Sequence, residues 1–231
     1  MTTPMRSSLL IPVVGWLWAQ CGSCIGNNCL NSSQTGLWTS CNTWASGSFC
    51  GGVWNTFQMN NRQPIINTGH TVAISGTIPT NLQNCRSIYI RSGATLNIQS
   101  PCTGNTSGSY VLDVCGNLNI NLTRMADFSK FDLIVHSGGV VNITAGTLRV
   151  YRIVIESGGV INLDGGRLER QCLSSTTPGL DIQAGGTLNI NSSSSQLQVH
   201  SCLGTAYMAP LIVKTAAPPL RTETSNWGRS S

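Results

Sequence analysis

Charge is what this chain has least of. Only 9% of its 231 residues are Asp, Glu, Lys or Arg, against roughly a quarter in ordinary globular domains. The formal excess of +5 is carried by scattered basic residues, which excludes the clustered cationic surface with interleaved aromatics that nucleic-acid binding needs. The carboxylates are few: Asp113, Asp127, Asp132, Glu156, Asp164, Glu169, Asp181 and Glu223. Helical periodicity is missing as well, since no window of useful length repeats apolar residues at three-four spacing. No stretch beyond the N-terminal segment is apolar enough to cross a bilayer, so no membrane span is expected. There is no GxSxG elbow, no HExxH pair and no Gly-Lys-Ser/Thr ending to a glycine loop. Asn, Ser, Thr and Gly fill the gap, which is the usage of a turn-rich all-β protein.

The N-terminus reads as an export signal. "MTTPMRSS" carries one Arg and no acid, and "LLIPVVGWLWA" has the length of a signal h-region. Residues 1–19 are therefore expected to be a signal peptide, with cleavage before Gln20; a buried first strand is the alternative. Cys21 would suit lipid attachment only if a small residue stood at Gln20. Ten cysteines agree with an oxidising compartment. Cys21, Cys24, Cys29, Cys41, Cys50, Cys85, Cys102, Cys115, Cys172 and Cys202 are disulfide candidates, with no pairing assigned. The rival is zinc at "CGSC" (21–24), but no second CxxC or His pair completes a four-ligand set. Five N-x-Ser/Thr sequons, at Asn31, Asn105, Asn121, Asn142 and Asn191, are candidate glycosylation sites on exposed positions.

What is plentiful is repetition. "SGGVVNITAG" (137–146) returns as "SGGVINLDGG" (157–166), and three more copies surround them: "IYIRSGATLNI" (88–98), "LDVCGNLNI" (112–120) and "LDIQAGGTLNI" (180–190). Each copy is a short alternating run, a glycine turn, and a second run ending aliphatic-Asn-aliphatic. Strand side chains alternate between faces, so Leu96 and Ile98 inward put Asn97 outward. Asn97, Asn119, Asn142, Asn162 and Asn189 then form one outward column. One such unit cannot bury its own apolar face, whereas stacked units can, and a period of twenty or more residues marks a solenoid. A third strand per coil is suggested by "GTLRV" (146–150) and "GRLER" (166–170), which set Arg149 beside Glu169 as a cross-rung pair. The competing antiparallel sandwich or barrel does not require every copy to keep one in-out phase around one turn.

The fold class expected is all-β: a single-stranded parallel β-helix or solenoid over 63–203. A disulfide-rich Cys/Trp cap or arm over 20–62 precedes it, and an extended tail over 204–231 follows. "GLWTSCNTWASG" (36–47), "QPIINTGHTVAISG" (63–76) and "IYIRSGATLNI" together resemble secreted repeat proteins of the right-handed parallel β-helix class and, more loosely, G8-type extracellular modules. The resemblance spans roughly 36–200. It implies an extracellular β-helix and supplies no active site.

Many such folds cleave polysaccharides, which takes two facing carboxylates or an acidic calcium cluster. Asp113 and Asp181 share a column position but sit about three rungs, roughly 14 Å, apart, so they are read as solvated strand carboxylates. His70, His136 and His200 are far apart in sequence. Trp38, Trp44 and Trp54 could stack on sugars or plug the open end of the coil, and the plug is favoured because an open end exposes core and unpaired edges. No catalytic residue, metal ligand or cofactor is assigned. The expectation is an extracellular structural protein that partners itself as a fibre, sheath or coat subunit and carries N-glycans. A glycan-binding module is the second reading and a polysaccharide lyase or hydrolase the third.

Overall fold

Short runs alternating aliphatic and polar residues, each closed by glycine, are too short to bury a core alone and therefore stack. The computed structural model describes residues 28–44, 62–76, 86–171, 179–199 and 211–213, and in these the chain winds as a three-faced parallel β-solenoid. The first face stacks β1 (Cys29–Asn31), β3 (Gln63–Ile66), β5 (Ile88–Ile90), β8 (Tyr110–Val114), the last parts of β9 (Asn117–Val135) and β10 (Val140–Ile155), β13 (Leu180–Ile182) and β16 (Leu211–Val213). The second stacks β2 (Gly36–Leu37), β4 (Thr71–Ile74), β6 (Thr95–Ile98), the starts of β9 and β10, β11 (Val160–Leu163) and β14 (Thr187–Ile190). The third holds β7 (Cys102–Thr103), the middles of β9 and β10, β12 (Arg167–Arg170) and β15 (Gln196–Val199).

Every pairing between these strands is parallel, which excludes the antiparallel sandwich for the described residues. Two coils run so continuously that β9 and β10 each cross all three faces. Their corners are register shifts at Ile143/Ala145, Ala145/Thr147 and Val150/Arg152, and Gly146 takes φ 76° there. The ladder also reaches beyond the expected bounds of 63–203. It starts at β1, inside the segment expected as a cap, and returns at β16, inside the expected tail. Neither has the glycine turn and aliphatic-Asn-aliphatic run that mark the equally short β5 and β13.

The core is one aliphatic pillar. Ile74, Ile98, Ile120, Ile143 and Leu163 follow one another up the second face with no exposure. Each such burial stabilises by about 1.5–3 kcal/mol before the entropy of ordering is subtracted. Phe128 and Phe131 meet edge-to-face at 5.1 Å, with Tyr110 against Phe131 at 5.3 Å, and fill the corner between the third and first faces. At the N-terminal end Trp38 and Trp44 pack edge-to-face at 5.1 Å and join the same core. Trp44 Nε1 donates to the Trp38 carbonyl at 2.9 Å. Both rings are buried, so they plug the coil and offer no face to a sugar. Trp54 lies outside the described residues.

Between the first and second faces the chain turns in four residues. In His136–Gly139 the Gly139 N–H donates to the His136 carbonyl at 2.8 Å, and Gly138 sits third with φ 79°. That is a type II turn, whose third position needs positive φ. The same bond and the same positive-φ glycine recur at Gly69, Gly93, Gly158 and Gly185. Repetition of "SGG" is therefore the repetition of one corner.

Candidate functional site

The chemistry of a solenoid lies in its outward columns, where equivalent residues of successive coils stand about 4.8 Å apart. On the second face the register places Asn97, Asn119, Asn142, Asn162 and Asn189 directly over one another. An amide carries both donors and acceptors, so identical Asn residues satisfy each other. Nδ2 of Asn119 donates to Oδ1 of Asn97, Asn142 to Asn119 and Asn162 to Asn142, each at 2.9 Å, and Asn189 to Asn162 at 2.8 Å. The asparagine column expected from sequence is a continuous hydrogen-bonded amide ladder.

On the third face the ladder is ionic. Arg149 Nε donates to Glu169 Oε1 at 2.8 Å, and its Nη1 lies 3.5 Å from Asp127 Oδ2 on the coil below. On the first face, Arg152 reaches Asp132 Oδ2 at 2.7 Å. These pairs join equivalent positions of neighbouring coils, so the charges brace the stack. Glu169 is buried rather than solvated.

The most concentrated chemistry sits where the first face turns into the second. His136 Nδ1 contacts Glu156 Oε2 at 2.8 Å, and its Nε2 stands 3.1 Å from Asp113 Oδ1, an ion-pair distance whose N–H is not aimed at the oxygen. His136 and Asp113 are both buried. This corrects the reading of Asp113 as a solvated strand carboxylate. The Asp113 carboxylate at 3.1 Å raises the imidazole most; burial opposes it and Glu156 adds to it, leaving His136 up at about 9. At neutral pH it is an imidazolium clasped by two carboxylates.

Cys115 completes a tight group: ligand atoms of Asp113, Cys115 and His136 lie within 4.8 Å of one another. Cys115 is disulfide-bonded, however. A bridged sulfur offers no thiolate, and one imidazole with one carboxylate falls short of a zinc set. Asp181 lies three strands along the column from Asp113, past Ile134 and Val154. The separation expected from sequence holds, and the two carboxylates do not face one substrate. His70 is elsewhere, 2.8 Å from Ser32 Oγ through Nδ1.

The cysteines and sequons divide. Cys29 and Cys115 are bridged. Cys102 is a free thiol, correcting its candidacy. It takes an inward position of the third face, stacked on Ala126, where burial above all, with Asp127 nearby, pushes its thiol up to about 12. Cys21, Cys24, Cys50, Cys85, Cys172 and Cys202 lie outside the described residues, and Cys41 heads a short 3-10 turn. Asn121 and Asn191 are exposed and Asn31 is half-buried. Asn105 is not: it is 4% exposed, its Oδ1 accepting from the backbone and hydroxyl of Ser107. Asn142 gives one Nδ2 hydrogen to the ladder, as Asn191 gives one to Asp164 Oδ1 at 2.7 Å.

His136 and Glu156 could have been paired from sequence, since both precede "SGG" in adjacent copies. Asp113 could not, because its copy reads "VCGN", two residues short at the turn. The shortened corner places Asp113 diagonally against His136 rather than in its column. Among the described residues no helix is long and apolar enough to cross a membrane. No family model matches the chain, and neither a curated protein nor a solved structure is significantly similar to it.

Proposed function

We propose that this is an extracellular structural protein, a self-assembling subunit of a glycosylated fibre, sheath or coat. One observation carries the reading. β6 and β14 have the same sequence, Thr-Leu-Asn-Ile, yet Ile98 in β6 has no exposure whereas Ile190 in β14 is 55% exposed. Among the described residues an interior strand stands at an edge, without the Lys, Pro or bulge that usually protects one. The outward columns support the same reading, because their polar groups are spent on neighbouring coils and the role is non-catalytic. Exposed Asn121 and Asn191 are the favoured glycan positions, and bridged Cys29 and Cys115 suit an oxidising compartment.

Sedimentation velocity of the purified chain over a hundredfold concentration range, with negative-stain imaging, tests assembly. Larger species growing with concentration are expected; a monomer throughout refutes the reading.

A second reading keeps a glycan-binding role but moves it. With Trp38 and Trp44 inside the core, the surface that suits a sugar is a cleft of about 320 Å³ lined by Thr106, Ser107, Gly108, Ser109, Lys130 and Tyr151. One aromatic ring, a cation and several hydroxyls are the groups a saccharide takes. Glycan-array binding lost in Tyr151→Ala would favour it.

A further inference from the structure

The corner between the second and third faces gathers cations that the fold leaves unpaired. Elsewhere the chain spends its few charges on itself: Arg149 is held by Glu169 and Asp127, and Arg152 by Asp132. Arg124 and Arg167 are different. Among the described residues neither side chain makes a hydrogen bond or an ion pair. Glu169, two residues beyond Arg167 on the same outward side, already accepts from Arg149 at 2.8 Å.

Both arginines line an open groove of about 470 Å³ at this corner. Met125, Thr147, Arg167 and Gln196 stand on consecutive rungs, so the groove runs along the solenoid axis for three spacings, roughly 14 Å. Arg124 precedes Met125, which sets the two arginines two rungs, roughly 10 Å, apart. The middle coils turn the corner on Gly146, Gly165 and Gly166, so no side chain fills the floor there. Thr123, Arg124, Ser194 and Gln196 are exposed, and the groove is open to solvent. Among the described residues no carboxylate lines it. Asp164, beside Gly165, accepts from Asn191 Nδ2 at 2.7 Å.

These groups define an occupant. A guanidinium only donates, and its fork matches the paired oxygens of a carboxylate or a sulfate. The hydroxyls of Thr123, Thr147 and Ser194 and the amide of Gln196 suit alcohol groups. No aromatic ring lines the groove to stack a base, and Met125 alone is too little apolar surface to seat the side chains of a peptide. We infer that this corner binds an acidic polysaccharide lying along the solenoid axis, with one acidic group on Arg124 and the next on Arg167. One coil spacing is close to the advance of one sugar along its chain, so two rungs fit acids on alternate sugars. The groove is separate from the cleft at Tyr151, and a single copy of the chain presents it whole.

Isothermal titration of the full chain with a tetrasaccharide of alternating uronic acid and N-acetylhexosamine tests this. The carboxyl-reduced, neutral form and a sulfated form are separate arms. The acidic tetrasaccharide should bind at least about tenfold more tightly than the neutral one. Arg124→Gln and Arg167→Gln should each raise its Kd at least about tenfold, with thermal unfolding unchanged because neither side chain has a partner in the fold. Arg91→Gln removes an exposed arginine from the corner between the first and second faces and should leave the Kd as it was. Binding of the sulfated form alone would keep the site and assign its anion to sulfate. Equal binding of the neutral form, no binding of either acidic form, or an equal loss in Arg91→Gln overturns the inference. So does an oligonucleotide of the same charge that binds as tightly, since the groove would then select charge and not sugar.

Discussion

His136 shows how a single side chain acquires a role from its stack. With Asp113 at 3.1 Å and Glu156 at 2.8 Å, its folded-state pKa of about 9 lies above the ordinary 6.5. A raised imidazole stabilises the fold fully below the unfolded value and loses that contribution as pH rises through the folded one. Stability should therefore decline between about pH 6.5 and 9, by something on the order of 3 kcal/mol if the whole shift is realised. Urea unfolding at pH 6 and pH 9.5 measures this. His136→Gln should flatten the decline, and an unchanged slope in that variant would mean the imidazolium does not brace the corner. The asparagines teach the complementary lesson. Their column was legible because five residues of one type recur between aliphatic pairs. The Asp113–His136 contact was hidden because one copy is two residues short at its turn.

At the scale of the element, the corner between the first and second faces sets the tolerance of the repeat. Gly138 and Gly139 are adjacent but constrained for different reasons. At Gly138 the backbone has φ 79° and nothing stands within 4 Å of a built Cβ, so Gly138→Ala meets only the left-handed penalty, about 1–2 kcal/mol. At Gly139 a Cβ would lie 2.2 Å from the Val114 carbonyl oxygen and 3.0 Å from that of His136. Backbone of the coil below cannot yield cheaply, so Gly139→Ala should cost more than Gly138→Ala in thermal unfolding. The reverse order would mean that the coils are not stacked this closely. The repeated "SGG" announced these turns in the sequence. The short strands β1, β2, β7 and β16 gave no such notice, since none is joined to the glycine turn and aliphatic-Asn-aliphatic run that reveal the equally short β5 and β13.

For the whole molecule, a single winding direction accounts for the aliphatic pillar, the amide ladder and the ionic braces together. It also makes the two ends of the described coil unlike: tryptophans close one, and among the described residues a strand with interior sequence is left open at the other. Solenoid architecture was legible because phase, turn and spacing agreed across copies. The end that matters for assembly was not, because β14 reads identically to β6 and only the missing neighbour distinguishes them. The most direct measurement of the stack is a nitrogen-edited nuclear Overhauser spectrum of the side-chain amides. Cross-peaks linking Asn119 to Asn142 and Asn142 to Asn162, pairs joined at 2.9 Å but 23 and 20 residues apart in sequence, are the expected result. Amide protons of these residues that contact only sequence-local neighbours, or strands of an opposite-running partner, would contradict the parallel coil.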